Sequence, residues 1–197
     1  MGYGVYMTLP PDSADLGGKL LIAMPGMGDP RFDRSVIYLC AHSPEGSMGL
    51  IVNKPASGVS VDNLLDQLKV KKGDGRGNIV AHFGGPVEHG RGFVLHSTDY
   101  MSEGSTMQVD AGFAMTATLD ILQDISMGNG PSRQILALGY AGWGAGQLET
   151  EIQANGWLTC DASPEIVFDA RDAEKWTAAL ASLGVDPLLL SAKAGHA

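Results

Sequence analysis

Gly139-Tyr140-Ala141-Gly142-Trp143-Gly144-Ala145-Gly146-Gln147-Leu148-Glu149-Thr150-Glu151-Ile152-Gln153-Ala154-Asn155-Gly156-Trp157 is the stretch on which the fold turns. The apolar run at 135–138 predicts a strand leading into it, and Leu148 and Ile152 share one face of the helix leaving it. Between them lie four closely spaced glycines and two aromatic residues. Glycine admits backbone geometry and close approach that a Cβ forbids. A helix N-terminus also presents N–H groups that no intrahelical acceptor satisfies. Such a turn is either a tight packing corner or a binding corner, and both readings stay open here.

On the N-terminal side, residues 20–24 predict a short strand stopped by Pro25-Gly26. The near-continuous apolar run at 35–41 predicts a strand buried on both faces. The turn Ser43-Pro44-Glu45-Gly46 sends the chain back through 49–53 as a hairpin ending at Asn53-Lys54-Pro55. Ser60 caps a helix in which Val61, Leu64, Leu65 and Leu68 form one stripe. Further strands are predicted at 79–83, 92–96, 105–109, 113–117, 157–160 and 165–168. Two more helices follow, one capped by Thr118 with Leu119, Leu122 and Ile125 inward, and one starting at Asp172 with Trp176, Leu180 and Leu183 on one face. Strands gather as hairpins, with helices inserted between them. The pattern predicts a single α+β domain with a mixed, largely antiparallel, strongly curved or barrel-like sheet flanked by helices. A doubly wound parallel fold is the alternative. The domain is expected over 20–190, with a loose arm at 1–19 and a frayed tail at 191–197.

Composition restricts the function classes. The chain of 197 residues carries a formal charge of -9, which argues against direct nucleic-acid binding, because phosphate contact needs a concentrated basic surface. The one basic cluster, Lys69, Lys71, Lys72 and Arg76, sits among glycines in an expected loop. Cys40 and Cys160 are isolated, so neither a cysteine zinc cluster nor a disulfide framework is indicated. With no apolar run of spanning length and no secretory leader, the reading is a cytosolic protein without membrane association.

Sequence motifs of known chemistry are sparse. With Gly142 and Gly144 as the first two glycines of a dinucleotide fingerprint, the third position falls on Gln147. No phosphate loop or Gly-x-Ser-x-Gly elbow is present. His82, His89 and His96 recur every seven residues, and with His42 and Glu88 or Asp99 they are candidate metal ligands, but the spacing matches no recognised site. The expectation is therefore no metal and no cofactor. Lys54 could contact an anion, Tyr140 and Trp143 could stack on a planar ligand or pack in the core, and Gln147 can both donate and accept at the turn. Glu149 and Glu151 are placed to offset the positive end of their helix.

Several blocks carry a resemblance: Ser35-Val36-Ile37 with His42 and Gly49-Leu50-Ile51-Val52-Asn53-Lys54-Pro55; Gly84-Gly85-Pro86-Val87 with Gly92-Phe93-Val94-Leu95-His96; and Leu138 to Trp143 with Gly146-Gln147-Leu148-Glu149 and Glu151-Ile152. Together and in this order they resemble the YqgE/AlgH family, from about residue 20 to 183. The resemblance implies a bacterial cytosolic α+β domain with a barrel-like sheet. Members often carry a transcriptional-regulator label, and no catalytic residue is implied. For so acidic a chain any regulatory role would be indirect. The leading expectation is a non-enzymatic binding or regulatory protein in which Asn53, Lys54, Gly84, Gly85, His96, Tyr140, Trp143 and Gln147 line one pocket for a small molecule or a protein partner. The alternative is a hydrolase or nuclease-like enzyme using His96 or His42 with a carboxylate.

Overall fold

The computed structural model describes residues 15–194, with side chains through residue 190. Its frame is a curled sheet built about one long strand, β8 (Gln134–Gly144). The preceding strands β1 (Lys19–Ala23), β2 (Val36–Ser43) and β3 (Gly46–Ile51) form an antiparallel meander, and β9 (Trp157–Asp161) returns to pair with β1. The C-terminal part of β8 pairs with β3, from Gly49 opposite Ala141 to Gly46 opposite Gly144. Its N-terminal part pairs with β5 (Val87–His96), from Gly92 opposite Leu138 to His96 opposite Gln134. Beyond β5 lie β7 (Ala114–Thr116) and β6 (Thr106–Gln108), while β4 (Ala81–Phe83) runs parallel to β8. The order β6-β7-β5-β8-β3-β2-β1-β9 is antiparallel throughout, with β4 joining beside β8.

Strand periodicity distributes the core. Leu20, Ile22, Val36, Tyr38, Cys40, Leu50 and Val52 point to one face, where Trp176, Ala179 and Leu180 of α4 (Asp172–Ser182) cover them. Leu21, Ala23, Ile37, Leu39 and Ile51 point to the other, against Leu148 of α3 (Gln147–Gln153), Trp143 and Trp157. This side-to-side alternation explains why β2 reads as an unbroken apolar run. A third cluster joins Leu65 of α1 (Val61–Gln67) and Ile121, Leu122 and Ile125 of α2 (Leu119–Ser126) to Val94 and Leu136. Ser60 caps α1 by accepting from the Asn63 N–H at 3.3 Å.

Several local expectations are corrected. Residues 165–168 form no strand. After Pro164, with its helical φ of -56°, Glu165–Asp169 makes a single wide helical turn closed by the Ala170 N–H donating to the Glu165 carbonyl at 2.8 Å. In α2 it is Ile121 that is buried, while Leu119 is 49% exposed. Leu183, expected on the inner stripe of α4, is exposed because the helix has ended before it. An additional helix, α5 (Pro187–Ala194), begins at a proline, whose missing N–H is no loss in a first turn. It overlaps the expected start of the tail, while residues 1–14 of the expected arm and 195–197 lie outside the described residues. Among the described residues no helix is long and apolar enough to cross a membrane.

Candidate functional site

Glycine determines how the main chains meet beside β8. Gly139 interrupts the strand with φ of +75°, and Gly84-Gly85 crosses it at that point. A methyl group on Gly84 would lie 2.2 Å from the Gly139 carbonyl oxygen, and one on Gly85 would lie 2.0 Å from the Tyr140 carbonyl carbon. The Ile51 N–H donates to the Gly84 carbonyl at 2.9 Å, and the Gly84 N–H donates to that of Leu138 at 2.8 Å. The ends of β3 and β4 and the middle of β8 thus crowd into one solid backbone junction.

The expected site residues divide around this junction. Asn53 is buried and structural: its Oδ1 accepts from the Val36 N–H and its Nδ2 donates to the Arg34 carbonyl, both at 2.9 Å. Lys54 donates to the Asp33 carbonyl and lines a separate cleft with Phe83 and His89. Gly84 and Gly85 form the junction itself. His96 has no exposed surface; its Nδ1 donates to the Ser97 carbonyl and its Nε2 accepts from the Thr116 hydroxyl, both at 2.8 Å. Burial pushes its pKa below the ordinary histidine value, outweighing the Ser97 bond and Asp99. Tyr140 lines a cleft of about 690 Å³ on one side of β8, with Phe93 and Arg91, to which Val87 and Trp143 also contribute. Trp143 and Gln147 come together in another cleft, on the α3 side.

That α3-side cleft, about 540 Å³, gathers blocks that are remote in sequence: Met27 to Phe32, Pro86-Val87, Gly142-Trp143, and Gln147 with Glu151 and Trp157. Helical spacing sets Gln147 and Glu151 one turn apart. The Gln147 amide accepts from the Gly144 N–H at 3.0 Å through Oε1 and donates through Nε2 to Glu151 Oε1 at 3.2 Å. Glu151 Oε2 accepts two indole N–H groups, from Trp143 at 2.8 Å and Trp157 at 2.9 Å. The indoles meet edge to face at 6.0 Å, and Phe32 packs edge-on against Trp157 at 5.9 Å. Across the cleft, Asp29 binds the Arg31 guanidinium at 2.7 Å and its backbone N–H at 3.0 Å. The side-chain bond from Arg31 is the main cause holding the Asp29 carboxyl below its ordinary pKa.

Sequence reasoning found Trp143 and Gln147 but missed Phe32, Arg31 and Trp157, and it gave Glu151 to the helix dipole alone. The signal for Trp157 and Glu151 was present within the opening stretch, since two glutamates, Glu149 and Glu151, lie between two tryptophans. Which atoms would meet was not readable, because the β8-to-α3 corner decides it.

The four candidate ligand histidines are dispersed. His82 Nε2 lies 3.0 Å from Asp172, His89 stacks on Phe83 at 6.2 Å, and His96 is enclosed as described. His42 Nε2 lies 3.1 Å from Glu149 and its Nδ1 lies 2.6 Å from the Ser47 hydroxyl. Among the described residues, no group of three or more His, Cys, Asp or Glu side chains is arranged to hold a metal ion.

Comparison with known proteins agrees with this architecture. A UPF0301 protein of Ruegeria pomeroyi is 61% identical over 184 residues, covering 93% of this chain and all of the relative. One from Cereibacter sphaeroides is 56% identical over 183 residues, again covering 93% and 100%. The solution structure of the AlgH protein from Pseudomonas aeruginosa is similar at 44% identity and a TM-score of 0.77, covering 97% of this chain and 100% of that one. A Corynebacterium diphtheriae protein shares the fold with a TM-score of 0.68 at 22% identity, covering 88% of each chain. The AlgH-like family model matches residues 20–188, and the chain belongs to that family.

Proposed function

We propose that this is a non-enzymatic binding protein of the cytosol, regulatory in role, whose ligand site is the cleft between residues 27–32 and helix α3. The observation that carries this reading is Glu151, fixed by two indoles and an amide at the floor of a cleft where three sequence-distant blocks meet. A volume of about 540 Å³ suits a small organic molecule. The unpaired, buried cysteines fit a reducing compartment. In the basic loop Lys72 pairs with Asp66 and Arg76 with Asp62, which weakens any claim of that loop on phosphate. A regulatory role would therefore run through a ligand or partner and not through DNA.

A metabolite library read by thermal denaturation tests the reading. A true ligand at ~100 times its Kd adds about 2.7 kcal/mol to stability, a rise of several degrees in Tm. The same compound should leave Val87→Arg unmoved, since Val87 is 37% exposed on the cleft wall and arginine there would fill the space. Hits that stabilise Val87→Arg equally would remove the cleft from consideration.

A second reading, a histidine-dependent hydrolase, has one specific observation behind it. Ser47, His42 and Glu149 stand in line, so that the Ser47 hydroxyl can donate to Nδ1 while Nε2–H donates to the carboxylate. Ser47 borders the cleft on the Tyr140 side of β8. A fluorophosphonate probe should then label Ser47 in the wild type and not in His42→Ala, and an unlabelled wild type ends that reading.

A further inference from the structure

We infer that the α3-side cleft takes an organic cation, an ammonium or guanidinium group carried on an apolar body. This deepens the binding reading above and rests on it. The charges of the cleft lead to it. Arg31 is matched by Asp29 through both guanidinium and backbone contacts. Glu151 meets only neutral donors among the described residues, namely two indole N–H groups and one amide. Neutral donors orient a carboxylate and satisfy its lone pairs but do not cancel its charge. The cleft therefore keeps one uncompensated negative charge, half-buried where water screens it less than at an open surface. Each carboxylate oxygen accepts about two hydrogen bonds, so Oε1, with Gln147 alone, has room for another donor.

The walls fit the rest of such a ligand. Met27 and Phe32, both partly exposed, supply the apolar and aromatic surface beside the buried indoles, and aromatic faces attract cations. The cleft already shows this preference, with the Arg31 guanidinium over the Phe32 ring at 5.9 Å. Among the described residues an anion would find no unpaired cation there, and it would be repelled by Glu151. The chain's formal charge of -9 favours the approach of cations in the same sense.

The test uses the wild-type protein and four probes of one size: benzamidine and benzylamine as cations, benzyl alcohol as the neutral form and benzoate as the anion. The readout is the indole N–H resonances. Trp143 and Trp157 report on the cleft, and Trp176, whose N–H donates to the Ala23 carbonyl at 2.9 Å on the other face of the sheet, is the internal control. The cations should shift Trp143 and Trp157 saturably with a Kd at least about tenfold below that of benzyl alcohol. Their binding should weaken with added salt, and Trp176 should stay in place. If benzyl alcohol or benzoate binds as tightly as the cations, the cation assignment is overturned while the cleft stands as a binding site. If none of the four moves the pair, or if all three indoles move together, the cleft reading falls as well.

Discussion

Gly85→Ala is expected to lose about 4 kcal/mol or more of folding stability, a value in the exceptional tail for a single methyl group. Two costs combine. The residue has φ of +155°, a region that side chains avoid, and the new carbon would sit 2.0 Å from the Tyr140 carbonyl carbon and 2.3 Å from the Ala141 nitrogen. The clashing atoms are backbone of β8, which cannot swing aside as a flexible side chain would. Gly77→Ala is the control, because a methyl there meets nothing within 4 Å and the backbone angle is ordinary. It should change stability by no more than about 0.5 to 1 kcal/mol, in the stabilising direction through the unfolded chain. Urea denaturation of the two variants beside the wild type decides. A Gly85→Ala protein within 1 kcal/mol of wild type would mean that the junction at Gly84, Gly85 and Gly139 is not the rigid centre described here.

That junction was also the most legible part of the sequence. A glycine cluster after an apolar strand signals close backbone approach from local sterics alone, and the apolar run at 36–40 signals a strand covered on both faces. Both signals depend on neighbours along the chain. The errors arose where the environment overrides local pattern. Ile166-Val167-Phe168 is apolar enough for a strand, yet Pro164 and the wide turn after it hold the segment in helical geometry. In α2 the expected Leu122 and Ile125 are buried, but the first position of the stripe is taken by Ile121 instead of Leu119, because helix ends follow packing as much as capping.

The candidate site was only half legible, for a related reason. Trp143 and Gln147 lie in the stretch that drew attention first, but Phe32 is brought to Trp157 by the fold and by nothing near it in sequence. His96 looked available because histidines at strand ends often are. It is instead inside the strand pairing, where Thr116 stands across from Val94 and bonds to the ring from the neighbouring strand. Lys175 was invisible altogether: a lysine between acidic and aromatic residues in an amphipathic helix reads as solvated, yet it is only 2% exposed.

Asp172→Ala should consequently be among the most damaging side-chain changes. Asp172 accepts from His82 Nε2 at 3.0 Å and from Lys175 Nζ at 2.9 Å, and Lys175 also donates to the Val52 carbonyl at 2.8 Å. Removing the carboxylate leaves a buried ammonium with one carbonyl for company, which costs about 3 to 5 kcal/mol. Asp172→Asn with Lys175→Met should recover most of that loss, because the double change removes both charges and leaves an amide for His82. Measured by urea midpoints at constant slope, this non-additivity is the signature of a coupled pair. Acid supplies an independent check. Burial alone would raise the Asp172 pKa, but His82 and Lys175 together hold it below the ordinary value, while burial lowers that of Lys175. A carboxyl depressed in the folded state contributes stability that is present above its unfolded pKa and is lost as pH falls through the folded one. The advantage of wild type over Asp172→Ala should therefore hold at neutral pH and shrink below about pH 4. An advantage that grows on acidification would show that the carboxylate is not what steadies the buried lysine.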